Sequence, residues 1–161
     1  MWLALIMICL VIMQAASQKH LDAVNALLVA RADPNVQLQS AAISTALQIA
    51  SHNGHAEIAL ALIDSGAEVD VQSQTGCTAL HHAVGGLHID VVNHLLQAEC
   101  DNDIQNSNGS TALHIAAGKG QSELIKVRYL ALICGRVDAQ ACPLLIMLLL
   151  SFLISPRIFF F

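Results

Sequence analysis

Apolar and polar positions divide this 161-residue chain into three stretches. From Met1 to Met13 every residue is apolar. Between residues 15 and 127 the apolar positions come in short bursts at i, i+3, i+4 spacing, as in Ile58, Ala61, Leu62 and Val91, Leu95. That spacing is the stripe of a helix with one buried face. From Ala139 to Pro156 there is no charge at all. Gly54 and Gly120 separate neighbouring bursts where positive φ is least costly, and Gly66 ends another. The pattern predicts short paired helices in the middle, with two apolar ends of a different kind.

The bursts repeat. Thr45-Ala46-Leu47-Gln48, Thr78-Ala79-Leu80-His81 and Thr111-Ala112-Leu113-His114 follow one another at a spacing of 33 residues. His55-Ala56-Glu57-Ile58 matches His88-Ile89-Asp90-Val91 and then Gln121-Ser122-Glu123-Leu124. Val71-Gln72-Ser73-Gln74-Thr75-Gly76 matches Ile104 through Gly109. A weaker copy lies upstream, where His20 through Leu28 parallels His88 through Leu96 and Ala15-Ala16 falls where Ala116-Ala117 falls. A fixed period of this length is the mark of a solenoid, in which no repeat buries its apolar face alone.

A period of 33 carrying Thr-x-Leu-His resembles the ankyrin repeat over residues 15–127. The resemblance implies an all-α ankyrin-repeat solenoid of stacked helix-turn-helix units, about three and a half repeats long. Thr45, Thr78 and Thr111 fit as N-caps, each offering a hydroxyl to an orphan backbone N–H. The small Ala that follows suits inner helices that pack closely. His55, His81, His88 and His114 fall where the resembled family uses histidine structurally, and His20 matches the turn position.

Three features depart from the family pattern. The Pro after Thr is Ala in all three copies, which loses preorganisation of the first turn. Arg31 and Glu99 stand where Gly66 stands in the repeat between them, at about 1 kcal/mol each if the backbone there is left-handed. The spacing stretches by two residues around Ala41-Ala42-Ile43-Ser44, and the pattern fails after Val127.

The chain therefore divides into an apolar segment 1–14, repeats at 15–44 (partial), 45–77, 78–110 and 111–127 (partial), and an apolar tail 128–161. Three readings fit the N-terminal run: an apolar cap on the solenoid, a signal peptide ending near Ala15-Ala16-Ser17, and a non-native start. Residues 139–156 reach the length of a membrane span only by including Gln140, Pro143 and two serines. Lys126-Val127-Arg128 reads as a splice donor in frame, and Gln14 as the codon left by an acceptor. On that reading both ends are read-through intron around exons of a longer array.

Composition narrows the function. Between Lys19 and Ile125 there are three basic residues against eleven acidic ones, with one Trp and one Tyr in the whole chain. This is not a nucleic-acid footprint, which needs basic charge and stacking aromatics. Five cysteines without CxxC spacing argue against a disulfide framework or a zinc site and read as free thiols in a reducing compartment. His81 and His82 are adjacent on a helix, so their rings diverge by about 100°. No HExxH, phosphate loop or GxSxG is present. The expectation is a cytoplasmic, non-enzymatic module with no cofactor and no metal. Its partner is expected to be a protein, of basic character given the acids Asp70, Asp101 and Asp103. A membrane-associated form anchored through 139–156 is the alternative.

In the resembled family, partners are held by loop tips and the exposed face of the inner helices. The matching positions here are Gln37, Gln39, His52, Asn53, Gln72, Gln74, Thr75, Gln105, Ser107, Asn108 and Lys119. They are polar and mostly uncharged. Two roles are open to them: contacts for a partner, or solvated loop tips.

Overall fold

The computed structural model describes residues 2–37, 43 and 45–118. Among them are helices α1 (Trp2–Ser17), α2 (Leu21–Val29), α3 (Ala46–Asn53), α4 (Ala56–Asp64), α5 (Ala79–Gly86), α6 (Ile89–Gln97) and α7 (Ala112–Gly118), and no strand. The inner layer is α1, α3, α5 and α7, each packed on the next. The outer layer is α2, α4 and α6, packed on one another in the same order. Each outer helix also rests on the inner helix that precedes it. This is the all-α stack that the 33-residue period predicts.

The inner helices begin where the threonines lie. Thr45 is extended, at φ −123° and ψ 158°, and forms a capping box with Gln48. Thr78 is likewise extended and pairs with His81. Small residues follow at once: Ala46, Ala79 and Ala112 are at most 2% exposed. Without bulk at that position consecutive inner helices approach closely, and Leu47 and Leu80 then fill the space below. Outer helices contribute Ile58 and Leu62 from α4 and Val91 and Leu95 from α6, all fully buried. Each such side chain contributes about 1.5–3 kcal/mol of burial.

The apolar N-terminal run takes the inner-helix place of the first repeat. Helix α1 is continuous from Trp2 to Ser17, so the division placed at 14/15 lies inside one helix. Ile12, Met13, Ala15 and Ala16 are buried. Val11 stands at the register of Ala46, Ala79 and Ala112 yet is 49% exposed, because no earlier helix covers it among the described residues. No helix among them is long and apolar enough to cross a membrane; residues 139–156 lie outside the described set.

The turns carry the strain that the sequence implies. Gly66 holds φ 87°, and its counterparts Arg31 and Glu99 are forced to 60° and 56°. At the inner-to-outer turns Gly54 holds φ 75°, but Lys19 and Leu87 adopt 61° and 64° without the freedom of glycine. Gly85 and Gly86 sit two positions and one position too early, and end α5 as helical residues. Each left-handed non-glycine costs about 1–2 kcal/mol.

Candidate partner-binding face

Loops between repeats form a hydrogen-bonded row at the N-terminal ends of the inner helices. The Ser107 N–H donates to the Thr75 carbonyl at 3.0 Å, joining one loop tip to the next. The Gln72 side chain donates to the Gly76 carbonyl at 2.9 Å and to the Gln105 carbonyl at 3.0 Å. Lower in the row, the Glu68 N–H donates to Asn35 Oδ1 at 2.7 Å, and the Asp101 N–H to Asp70 Oδ1 at 3.0 Å. These are equivalent contacts one repeat apart. The row is built largely from side chains that satisfy neighbouring backbone, as exposed loops in a stack require.

Histidine and glutamine pin this row to the helices. His81 Nε2 faces the Ser110 carbonyl at 3.1 Å, so that nitrogen carries the proton. Its Nδ1 is then free to accept from the Thr78 N–H at 3.2 Å. Gln48 reproduces both halves one repeat earlier. Its Oε1 accepts from the Thr45 N–H at 3.4 Å, and its Nε2 donates to the carbonyls of Val71 at 2.8 Å and Cys77 at 3.3 Å. In the next repeat His114 makes the same turn with Thr111, at 3.3 Å from its N–H. At the far ends of the inner helices, His55 Nε2 donates to the Ser17 carbonyl at 3.3 Å and His88 Nε2 to the His52 carbonyl at 3.0 Å. Histidines at repeat-matched positions thus act as staples between neighbouring units.

A face of the inner helices remains beside these contacts. Ile49, His82 and Ile115 share one register position on α3, α5 and α7, and all three are half-buried. The rings of His52 and His82 meet edge to face with centroids 5.6 Å apart. His82 Nε2 is buried and finds no hydrogen-bond partner among the described residues. Burial, and then the neighbouring rings of His52 and His81, push the His82 pKa down to about 4. Burial also lowers the His81 pKa, against its backbone hydrogen bonds to Ser110 and Ile104. Both rings are therefore neutral near pH 7. No group of three or more His, Cys, Asp or Glu side chains could hold a metal ion among the described residues.

The sequence-selected positions separate into two places. Gln72, Thr75, Gln105, Ser107 and Asn108 lie together on the loop row and are exposed, as are Gln37 and Gln74. His52 and Asn53 are also exposed, but they are the last two residues of the eight-residue α3, about 10 Å along it from its start. Asn53 Nδ2 reaches the Ser17 carbonyl at 3.4 Å. Gln39 and Lys119 fall outside the described residues. Gln72, for which partner contact and a solvated loop tip are both open, is exposed and also bonds within the stack, its amide donating to the carbonyls of Gly76 and Gln105. The row Ile49, His82, Ile115 was missed, although its constant offset from Thr45, Thr78 and Thr111 was available in the sequence.

A family model of ankyrin repeats, in three copies, matches residues 12–106 and 85–146. The chain belongs to the ankyrin-repeat family. That range takes in most of the chain, including all the helices from α2 to α7. No curated protein matches the chain in a sequence comparison. Ankyrin repeats serve as protein-interaction modules, and the fold by itself specifies no partner.

Proposed function

We propose that this ankyrin-repeat chain is an adaptor or scaffold that holds a segment of a partner protein across its loop tips and inner-helix face. The observation that carries the reading is the row Ile49, His82 and Ile115. These half-buried side chains recur in register along the inner helices, and His82 meets the ring of the exposed His52. A partner segment laid along this row would meet one equivalent position per repeat, which is how a solenoid presents an extended surface.

The partner chemistry follows from charge. Asp33, Glu68, Asp70, Asp101 and Asp103 are all exposed on the loops, whereas Lys19 and Arg31 are the only Lys or Arg among the described residues. A lysine- or arginine-rich segment would be drawn to this edge and lose affinity as salt rises. Cys77 is a free thiol, which suits action in the reducing cytoplasm.

The test is affinity capture from cell extract with the full chain and two charge-reversed variants. Glu68→Lys with Asp103→Lys alters the loop edge; Glu57→Lys with Asp64→Lys alters outer helix α4. The reading expects a salt-eluted basic protein held by the wild type and the α4 variant and lost by the loop variant. Loss through the α4 variant alone would move the site to the outer helices.

A further inference from the structure

Two Asn-Gly dipeptides occur in the described repeats, Asn53-Gly54 and Asn108-Gly109. In this pairing the following backbone nitrogen meets no side-chain hindrance on its way to the asparagine carboxamide. The reaction is water-driven. The Gly nitrogen attacks the Asn Cγ, its proton is lost and ammonia leaves, giving a five-membered succinimide. Water then opens either carbonyl, to aspartate or to isoaspartate, so the net change is one water in and one ammonia out.

The two sites are held very differently. Asn53 is the last residue of α3, and its Nδ2 donates to the Ser17 carbonyl at 3.4 Å. The Gly54 N–H is tied to the Ala50 carbonyl as the helix cap. The His88 ring lies directly against Gly54 while bonded to the His52 carbonyl. For Gly54 N to reach Asn53 Cγ, the last turn of α3 must unwind and an inter-repeat staple must break. Asn108 stands instead at an exposed loop tip, and its side-chain amide makes no hydrogen bond among the described residues. Gly109 is held by its own N–H to the Asn106 carbonyl at 2.8 Å, and open space surrounds the place where its Cβ would be. Asn106 Oδ1 also accepts from the N–H groups of Asn108 and Ser110, both at 3.0 Å, but these bonds lie within one exposed loop and no helix end has to unwind.

We infer that Asn108 is a site of spontaneous deamidation in the folded protein and that Asn53 is protected by the stack. Opening a turn whose bonds lie within one exposed loop requires less free energy than unwinding a helix end that is also bonded to the neighbouring repeats, so the native rates differ by about tenfold or more. The product matters to the loop row. Isoaspartate inserts a methylene into the main chain beside Gly109, displacing the turn whose neighbour, Ser107, bonds to Thr75. Either product adds a negative charge at the tip.

The full chain is incubated at pH 8 and 37 °C, native and in urea, and digested after each interval with a protease that cuts after glutamate. Cleavage after Glu57 and Glu99 places the two asparagines in separate peptides. Mass spectrometry then follows the one-dalton gain in each. The expected result is conversion at Asn108 well ahead of Asn53 in the native protein, with the two rates converging in urea. Equal native rates, or Asn53 reacting first, overturn the inference. So does an Asn108 that stays intact in the native chain over the time the urea sample converts.

Discussion

Gly54 and Gly66 both hold left-handed backbone, at φ 75° and 87°, but replacing each by alanine has different consequences. At Gly66 an added Cβ meets nothing within 4 Å, so the cost is conformational alone. A left-handed alanine costs about 1–2 kcal/mol, reduced by about 0.4–1 kcal/mol because alanine also narrows the unfolded ensemble. The net expectation for Gly66→Ala is about 1 kcal/mol. At Gly54 the same Cβ would run into the His88 ring, which lies between Gly54 and Gly86 and is bonded to the His52 carbonyl. Moving the ring adds about 1 kcal/mol for the lost hydrogen bond and about 1 kcal/mol or more for overpacking. Gly54→Ala should therefore cost about 3 kcal/mol. Urea denaturation followed by circular dichroism measures both, compared at unchanged slope. In a His88→Ala background the Gly54 substitution should fall back to the Gly66 value, since the obstructing ring is gone. Equal costs for the two glycines, or no relief on removing His88, would refute the claim that His88 staples adjacent repeats through this contact.

Other consequences follow from the same contacts. Because Gln48 already does the work of His81, His81→Gln should cost under about 1 kcal/mol in urea denaturation, and His81→Ala about 2–3 kcal/mol through two unpaired backbone groups. Glu99→Gly should stabilise the chain by about 0.5–1 kcal/mol, measured the same way, by relieving backbone held at φ 56°. The folded state depresses the pKa of both His81 and His82, so the unfolded chain takes up more protons on acidification. The associated stability is present above the ordinary histidine pKa of 6.5 and is lost as pH falls toward about 4. With His82 only half-buried, solvent screening leaves about 1–2 kcal/mol at stake. His82→Ile, the residue found at the equivalent positions 49 and 115, should flatten the dependence of the urea midpoint on pH between 7 and 5.

Much of the stack was legible because its determinants are local and recur. Thr45, Thr78 and Thr111 announce inner helices by capping chemistry, and the spacing of Ile58, Leu62, Val91 and Leu95 announces outer ones. Arg31 and Glu99 marked strained turns, since only a glycine-like backbone fits where Gly66 stands. The extent of α1 was hidden for a physical reason. A run apolar on every side has no stripe to show which face is buried, and it carries no capping residue at the place of Thr45. The role of Gln72 was hidden differently: an amide in a polar loop looks the same whether it meets solvent or the backbone of the next repeat. The row Ile49, His82, Ile115 escaped notice because two apolar members read as core, although the stack leaves them partly open.

The most direct test of partner binding places a photo-crosslinking amino acid at four exposed positions of the full chain. His52 and Gln105 represent the inner-helix and loop face; Asp64 and Gln97 represent the ends of outer helices α4 and α6. Irradiation in cells should join a common protein to the chain from His52 and Gln105 and leave Asp64 and Gln97 unlinked. Crosslinks to that protein from Asp64 and Gln97, with none from His52 or Gln105, would contradict the account and move recognition to the outer layer.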